Sequence, residues 1–418
     1  MLIVAYIVCG LVALLVIGQC GVVAAFVWNL VRFQRTTLAD CDLPKAAVVL
    51  SLRGPDPFLE KTLRALMKVD YPDFTMHFIV DSETDPAKIE LDKILRELQV
   101  EDVSVSILHE PLTTCSLKCS ALIQVVRELD PEIEIVAFVD SDAIPHRSWL
   151  RDLVAPLSDA NIGATTGNRW FVPERANAGT LVRYVWNVGG VVQVWLNRIT
   201  WGGSLAMRRE VIERTDMFDG WGHSLFDDAA VCRQLRPHGL RIHFVPGVLM
   251  ANREEISLGT FMGWMRRQLI AAKSCGPEWR LVALHAFNLA GTNLAAIALF
   301  LWAVAIGETR ISQMCAVVIV AYWGTAILAT IATEFAVRRI LRDNGDPVRW
   351  PLAAWVGFLP AMLLTHITYP YAFIGAYWKR RVSWRGIEYD VLGYSDIHMR
   401  GYRPFVVAND ASSTESIT

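Results

Sequence analysis

The chain has 418 residues, 53% of them hydrophobic, with 15 Trp and a mean hydropathy of +0.32. That is too apolar for an ordinary soluble enzyme and points to a membrane protein, while a net charge of -2 excludes a general affinity for nucleic acid. The 8 cysteines are scattered without a CxxC pair; Cys115 and Cys119, one helical turn apart with no second ligand pair nearby, read as packing residues in a reducing compartment.

Residues 2–31 carry no charge, a run long enough to span a bilayer with some tilt. It lacks the basic n-region and short apolar core of a cleaved leader, so it reads as an anchor. Arg32 and Arg35 follow at once and place residues 32 onward in the cytoplasm, at the inner membrane if the source is bacterial.

From 45 to 142 short apolar runs alternate with amphipathic stretches. The runs 46–52, 76–80, 103–108 and 135–139 predict strands, and 57–68, 86–99 and 116–129 predict helices. Such alternation favours parallel strands, whose ligands bind at the carboxyl ends. Strand 135–139 has the β-branched and aromatic content of a strand buried on both faces, and it stops on Asp140-Ser-Asp142. Side chains alternate on an extended chain, so Asp140 and Asp142 point the same way and offer hard oxygen ligands to Mg2+ or Mn2+ holding a diphosphate. Asp-x-Asp also occurs in solvated turns. Asp81, however, ends strand 76–80 at the same expected sheet edge, which turn chemistry does not explain.

Residues 160–172 and 202–208 read as strands, the latter opening on Gly202-Gly203-Ser204, where missing side chains let a ligand approach the backbone. Asp227 and Asp228 precede the helical stretch 229–235, and a helix cap is the plain reading of Asp227 more than of Asp228. Residues 257–273 form a basic amphipathic stretch with Ser257 as its cap. Its cations, Arg266, Arg267 and Lys273, suit lipid phosphates, or one Arg reaches a substrate diphosphate. Apolar runs at 281–306, 312–336 and 350–377 close the membrane region. The first two form a hairpin, and Arg338, Arg339, Arg342 and Arg349 return the chain to the cytoplasm. Because Lys379, Arg380 and Arg381 also belong inside, the third run, interrupted by Pro351, Pro360, Pro370 and His366, is expected to be broken, re-entrant or interfacial. Residues 408–418 are polar and expected to be disordered.

These residues resemble a family 2-type glycosyltransferase of GT-A fold, most similar to ceramide glucosyltransferases, across about residues 46–270 with a weaker echo near 384. The resemblance rests on Gly54-Pro-Asp-Pro57, Leu63, Tyr71-Pro72, Asp81-Ser-Glu-Thr-Asp-Pro86, Asp140-Ser-Asp142 and Phe226-Asp-Asp228. Ser116-Leu-Lys118 stands where such enzymes have Asn-Pro-Lys, and Asp227 replaces the usual Glu. The family's motif of Gln or Arg, two residues, then Arg-Trp is met only by Arg267, within Trp264-Met-Arg-Arg267-Gln268, which argues against a processive polysaccharide synthase. Trp384-Arg-Gly386 resembles a segment that follows the membrane helices.

The fold implied is α/β, a Rossmann-like, mainly parallel sheet with helices on both faces, plus N-terminal and C-terminal transmembrane helices. The expected parts are an anchor at 1–32, a cytoplasmic glycosyltransferase domain at 45–256, an interfacial helix at 257–280, a membrane region at 281–378 and a cytoplasmic tail at 379–418. The function implied is inverting, metal-dependent transfer of a sugar from a nucleotide sugar, expected to be a UDP-sugar, to a lipid hydroxyl. In that reading Asp81, Asp140, Lys118 and Arg267 bind the donor, and Asp142 with Asp140 holds Mg2+ or Mn2+. Asp228 is the base, and Asp227, Trp264 and Trp384 lie toward the acceptor. The lipid follows from the membrane segments, because only an acceptor with its hydroxyl at the interface gives the chain a reason to keep them. The Trp-rich stretch 184–201 suits a headgroup-level surface or a buried helix. The alternatives are a processive polysaccharide synthase, which needs more spans, and a non-catalytic membrane protein, which should have lost acids.

Overall fold

The structure, a computed structural model, describes residues 1–100, 103–276 and 279–405; the polar tail at 408–418 lies outside the described residues. After helix α1 (Leu2–Arg32), strands β1 (Ala46–Leu52), β2 (Phe74–Val80), β3 (Val103–Ile107) and β4 (Ile135–Val139) alternate with helices α2 (Leu59–Leu66), α3 (Pro86–Leu98) and α4 (Leu117–Glu128). All four strands are parallel, with β1 between β2 and β4.

Helix α5 (Trp149–Val154), strands β5 (Ile162–Thr166) and β6 (Arg169–Phe171), helix α6 (Ala178–Asn197) and strand β7 (Ser204–Arg208) follow. Helices α7 (Arg209–Arg214), α8 (Met217–Gly222) and α9 (Asp227–Leu235) then lead to β8 (Arg241–Phe244) and β9 (Met250–Asn252). The main sheet has seven strands in the order β3-β2-β1-β4-β7-β5-β8, and β7 is antiparallel to both neighbours. The strand expected at 160–172 is therefore two. Thr166 closes the main sheet by accepting from Val245 N, and the chain then turns so that Met250 N bonds Asn168 O and β6 pairs with β9.

Alternation along each strand divides the core between two faces. Ala47, Val49, Val136 and Phe138 pack against α4 and α8, where Phe138 meets Trp221 edge-on at 5.6 Å. Val48, Leu50, Ala137 and Val139 pack with Leu63, Leu91 and Trp149 of α2, α3 and α5. Every residue of β4 is buried, as expected of a strand covered on both sides.

Helix α10 (Leu258–Cys275), capped by Ser257 Oγ accepting from Thr260 N at 3.1 Å, precedes α11 (Trp279–Ala305), α12 (Thr309–Asp343) and α13 (Leu352–Trp378). A three-stranded antiparallel sheet follows: β10 (Arg381–Trp384), β11 (Ile387–Val391) and β12 (Ile397–Met399). Helices α1, α11, α12 and α13 are each long and apolar enough to cross a membrane. The break expected in the third apolar run is absent, since α13 is continuous through Pro360 and Pro370. Its packing along α6, α10 and α11 outweighs a local cost of roughly 3 kcal/mol per interior proline.

The apolar helices are fastened to the globular part. Glu334 of α12 is buried and accepts from Trp170 Nε1 and Tyr184 OH, both at 2.9 Å, and from Arg338 Nε at 2.6 Å. Arg35, just past α1, pairs with Asp152 of α5 at 3.0 Å. Trp350, just ahead of α13, stands 4.5 Å from the Tyr184 ring, and the far end of α13 leads straight into β10. Both ends of α13 thus meet the globular part, while His366 near its middle bonds Tyr322 of α12 at 2.6 Å. The Trp-rich stretch falls largely on α6, which buries Tyr184, Val188, Val191 and Val192 and exposes Leu196.

Candidate active site

Strand register decides which side chains meet. Leu52 of β1 is opposite Val80 of β2, so Arg53 and Asp81 leave the sheet side by side and form an ion pair. Asp140 leaves the parallel strand β4 at the same edge, and antiparallel β7 begins with Ser204 opposite Val139, which brings Gly203 against Asp140. A Cβ on Gly203 would lie 2.8 Å from Asp140 Oδ2, and one on Gly202 would collide with the Asp227 carboxylate. The space beside Gly202 is thus taken by the Asp227 carboxylate and that beside Gly203 by the Trp201 indole and then Asp140, where the missing side chains suggest a ligand against the backbone.

Two helices add their first turns. Ser116 caps α4 by accepting from Cys119 N at 3.1 Å, which aims Lys118 into the cleft. Lys118 Nζ bridges Asp140 Oδ1 at 2.7 Å and Asp227 Oδ1 at 3.1 Å. Asp227 is not the cap of α9, as had been expected. The capping position is Phe226, and the Asp227 side chain is drawn to Lys118 instead, its Oδ2 buried without a hydrogen-bond partner. Asp228 accepts from Ala229 N at 2.7 Å and, more weakly, from Gly202 N at 3.4 Å.

Asp81, Lys118, Asp140, Asp142, Asp227, Asp228, Arg267 and Trp384 all line one pocket. Trp264 does not line it. It is buried on the core side of α10 against Phe171, Trp186 and Phe261, one turn before Arg267. The pocket also gains Arg53, Arg169 and Arg385. Arg53 had a legible signal, since it follows a strand's carboxyl end just as Asp81 does. Arg169, whose Nη1 pairs with Asp142 Oδ2 at 2.9 Å, sits on a short strand with no pattern to flag it. Arg385 occupies the β10–β11 turn with φ of 50°, an unusual conformation for a residue with a Cβ. It donates to Asp56 Oδ2 and to Arg53 O, both at 3.0 Å, while neighbouring Trp384 lies 5.7 Å from the Phe226 ring.

The charges set one another. Burial works against the Asp140 carboxylate, yet Lys118 and Arg169 outweigh it and hold its pKa below the usual value. Lys118, despite burial, is held above its usual value by Asp140 and Asp227. Asp228 is pushed up to about 7 by burial and then by the neighbouring charge of Asp227, with Lys118 opposing. Burial, followed by the repulsion of Arg169 and Arg385, brings Arg267 down to about 10. The pocket therefore holds a carboxylate that exchanges its proton near neutrality beside cations with no proton to give.

A divalent cation fits the donor set. Asp140 and Asp142 offer only hard oxygens, and in this structure each is neutralised by a side-chain cation, Lys118 or Arg169. Among the described residues no cluster of three or more His, Cys, Asp or Glu could hold a metal ion. The protein would thus supply two carboxylates and leave the other positions to phosphate oxygens and water, the usual manner of Mg2+.

Solved structures to which the chain is similar include the mannosyltransferase PcManGT from Pyrobaculum calidifontis, in complex with GDP-Man and Mn2+. It is 16% identical, with 89% of this chain and 99% of that chain covered at a TM-score of 0.47. Glucosyl-3-phosphoglycerate synthase from Mycobacterium tuberculosis, in complex with Mn2+, UDP-Glc and glycerol 3-phosphate, is 17% identical over 58% of this chain and 86% of that chain, with a TM-score of 0.39. No curated protein matches the chain. The model of glycosyl transferase family 21 matches residues 8–395, nearly the whole length, and the chain is a glycosyltransferase that belongs to that family.

Proposed function

We propose that this glycosyltransferase moves a sugar from a UDP-sugar to the hydroxyl of a membrane lipid, inverting the anomeric carbon in a single displacement. The observation that carries the reading is one pocket shared by two sets of residues. Asp81, Asp140, Asp142 and Asp228 come from the sheet edge and α9, while Arg267 and Gln268 come from α10 and Trp384 from the strand that follows α13. The donor side of the pocket is acidic and basic, and its opposite wall is built on elements continuous with the apolar helices. The continuous core from Phe138 of the sheet through Phe261 of α10 to Phe373 of α13 supports a lipid acceptor over a soluble one.

In this reading Asp81 and Asp140 hold the nucleoside, and Asp140 with Asp142 holds Mg2+ or Mn2+, which when bound neutralises charge on the diphosphate. Arg267 and Lys118 stabilise the leaving diphosphate from the protein side. Asp228, with its pKa near neutrality, accepts the proton of the acceptor hydroxyl as the oxygen attacks the anomeric carbon. A single displacement needs no second carboxylate as nucleophile. Asp227 acts by holding Lys118 and by raising the pKa of its neighbour.

Helices α1, α11 and α12 cross the membrane in this proposal, with the catalytic part cytoplasmic, and the unbroken α13 lies along the interface on that same side. Positive charge at both ends of α13, Arg349 before it and Lys379 to Arg381 after it, supports the arrangement. The test is to incubate membranes holding the protein with labelled UDP-sugars and extract into organic solvent. Label in the organic phase that disappears with Asp228→Asn supports the proposal. Label in a water-soluble polymer would establish the processive synthase instead, and no incorporation from any nucleotide sugar would overturn both.

A further inference from the structure

The outer side of α10 carries cations that the catalytic pocket does not use. Arg266 precedes the pocket residue Arg267 by one position, hence about 100° around the helix, and is turned toward α13. Its guanidinium lies 5.4 Å from the Tyr371 ring, its Nε is buried without a hydrogen-bond partner, and a Cβ on Gly375 would lie 2.8 Å from that nitrogen. Gly375 thus makes the room that Arg266 occupies. Two turns further along α10, Lys273 Nζ stands 5.7 Å from the Trp279 ring and 5.3 Å from the Tyr377 ring. Trp279 Nε1 is likewise buried and unpartnered. Among the described residues no carboxylate pairs with Arg266 or Lys273; each instead stands against aromatic rings of α11 or α13.

We propose that this cleft between α10, α11 and α13 binds the phosphate of an anionic phospholipid. Its charged groups are the Arg266 guanidinium and the Lys273 ammonium, with the indole N–H of Trp279 as a further donor, so the complementary ligand offers acceptors and carries negative charge. The surrounding surface belongs in lipid: Tyr371 is 60% exposed and Trp378 76% exposed on α13, with apolar residues of α11 beside them. A phosphate held at the cleft mouth lets acyl chains lie along that face. The inference rests on the membrane placement proposed above and not on the identity of the acceptor.

The test is native mass spectrometry of the full-length protein released from detergent with dioleoyl phosphatidylglycerol or dioleoyl phosphatidylcholine, without sugar donor. Phosphatidylglycerol is expected to be retained over phosphatidylcholine, and Arg266→Gln and Lys273→Gln are each expected to lower that retention about fivefold. Gly375→Ala, which displaces Arg266 while keeping every charge, is expected to lower it too. Arg310→Gln, a cation removed at the α11–α12 turn, is expected to leave it unchanged. Equal retention of the two lipids, retention unaltered by R266Q and G375A, or displacement of the lipid by inorganic phosphate would each overturn the proposal. Because no sugar is transferred in this experiment, failure of the glycosylation reading leaves its outcome interpretable.

Discussion

The pH dependence of transfer is the sharpest probe of the base, because two neighbours pull the Asp228 carboxyl in opposite directions. Its pKa of about 7 is raised by burial and by Asp227 and lowered by Lys118. If ionised Asp228 accepts the hydroxyl proton, kcat/KM is half its plateau near that pH and falls about tenfold for each unit below it. Asp227→Asn removes the raising charge and leaves Lys118 bound to Asp140 alone. Both changes lower the pKa, by about one unit for one like charge removed, so at one unit below neutrality the variant recovers from about a tenth to about half of its plateau. Lys118→Met moves the acid limb the other way. The sign also provides a folding control. A carboxyl whose folded pKa is raised contributes its stability below the unfolded value and loses it as pH rises through the folded one. At pH above 7 Asp228→Asn is therefore expected to keep or raise thermal stability while kcat falls about 10²- to 10⁴-fold. The assay is transfer of labelled sugar to extracted lipid at subsaturating donor across a buffer series. An acid limb that stays put in Asp227→Asn, or moves upward, refutes the assignment.

Chelation with EDTA is expected to abolish transfer, with recovery on adding Mn2+ or Mg2+; Asp142→Asn should raise the metal concentration needed for half-maximal rate by at least about tenfold, since it removes one of two protein ligands. Arg385→Gly relieves the positive φ and deletes the guanidinium, so the KM for the donor should rise about tenfold with thermal stability unchanged; an unaltered KM would place Arg385 outside donor binding. Trp264→Ala is expected to cost roughly 3 to 5 kcal/mol in denaturant unfolding, as a buried core residue does, whereas Trp264→Phe should keep the acceptor KM near that of the parent. Removing the hydrogen bonds of Glu334 with Glu334→Ala should cost roughly 3 kcal/mol by leaving Arg338 without its buried partner, read as a fall in the melting temperature.

The sheet was legible because its strands are short apolar runs between amphipathic helices, and that period survives tertiary packing. Asp81 and Asp140 were legible for the same reason, since a strand that ends on an acid announces the sheet edge. What could not be read was anything that depends on register between distant segments. Arg53 was legible at a strand's end but its pairing with Asp81 was not, since that needs Leu52 opposite Val80, and Arg169 reaches Asp142 only because β6 leaves the main sheet to pair with β9. Asp227 misled for a related reason: an Asp at a helix start is a cap by local chemistry, but a buried Lys118 from a helix a hundred residues earlier outbids the free amides. Trp264 sits in a motif whose aromatic meets sugar in other enzymes, yet Phe171, Trp186 and Phe261, which come from other turns and elements, hold it in the core one turn before the pocket residue Arg267.

Helix α13 explains why the apolar helices and the catalytic sheet are not separable parts. Ala354, Ala361, Ala372 and Phe373 of α13 belong to the same buried cluster as Phe138 of β4, Phe261 of α10 and Val382 of β10. The small side chains let α13 lie close against α6 and α10, and Gly357 continues that close approach beside Leu181. Its exit then fixes where the β10–β11 turn falls, and that turn carries Trp384 and Arg385 to the pocket, with Tyr389 of β11 accepting from Leu117 N at 3.2 Å. The same α10 that packs along α13 supplies Arg267. A shift of α13 relative to the sheet would therefore displace two pocket cations together, Arg267 through α10 and Arg385 through the turn. A chain cut before α11 would lose Arg385 outright and expose the apolar faces of α6 and α10 to water. The pocket is thus assembled by the apolar helices as much as by the sheet.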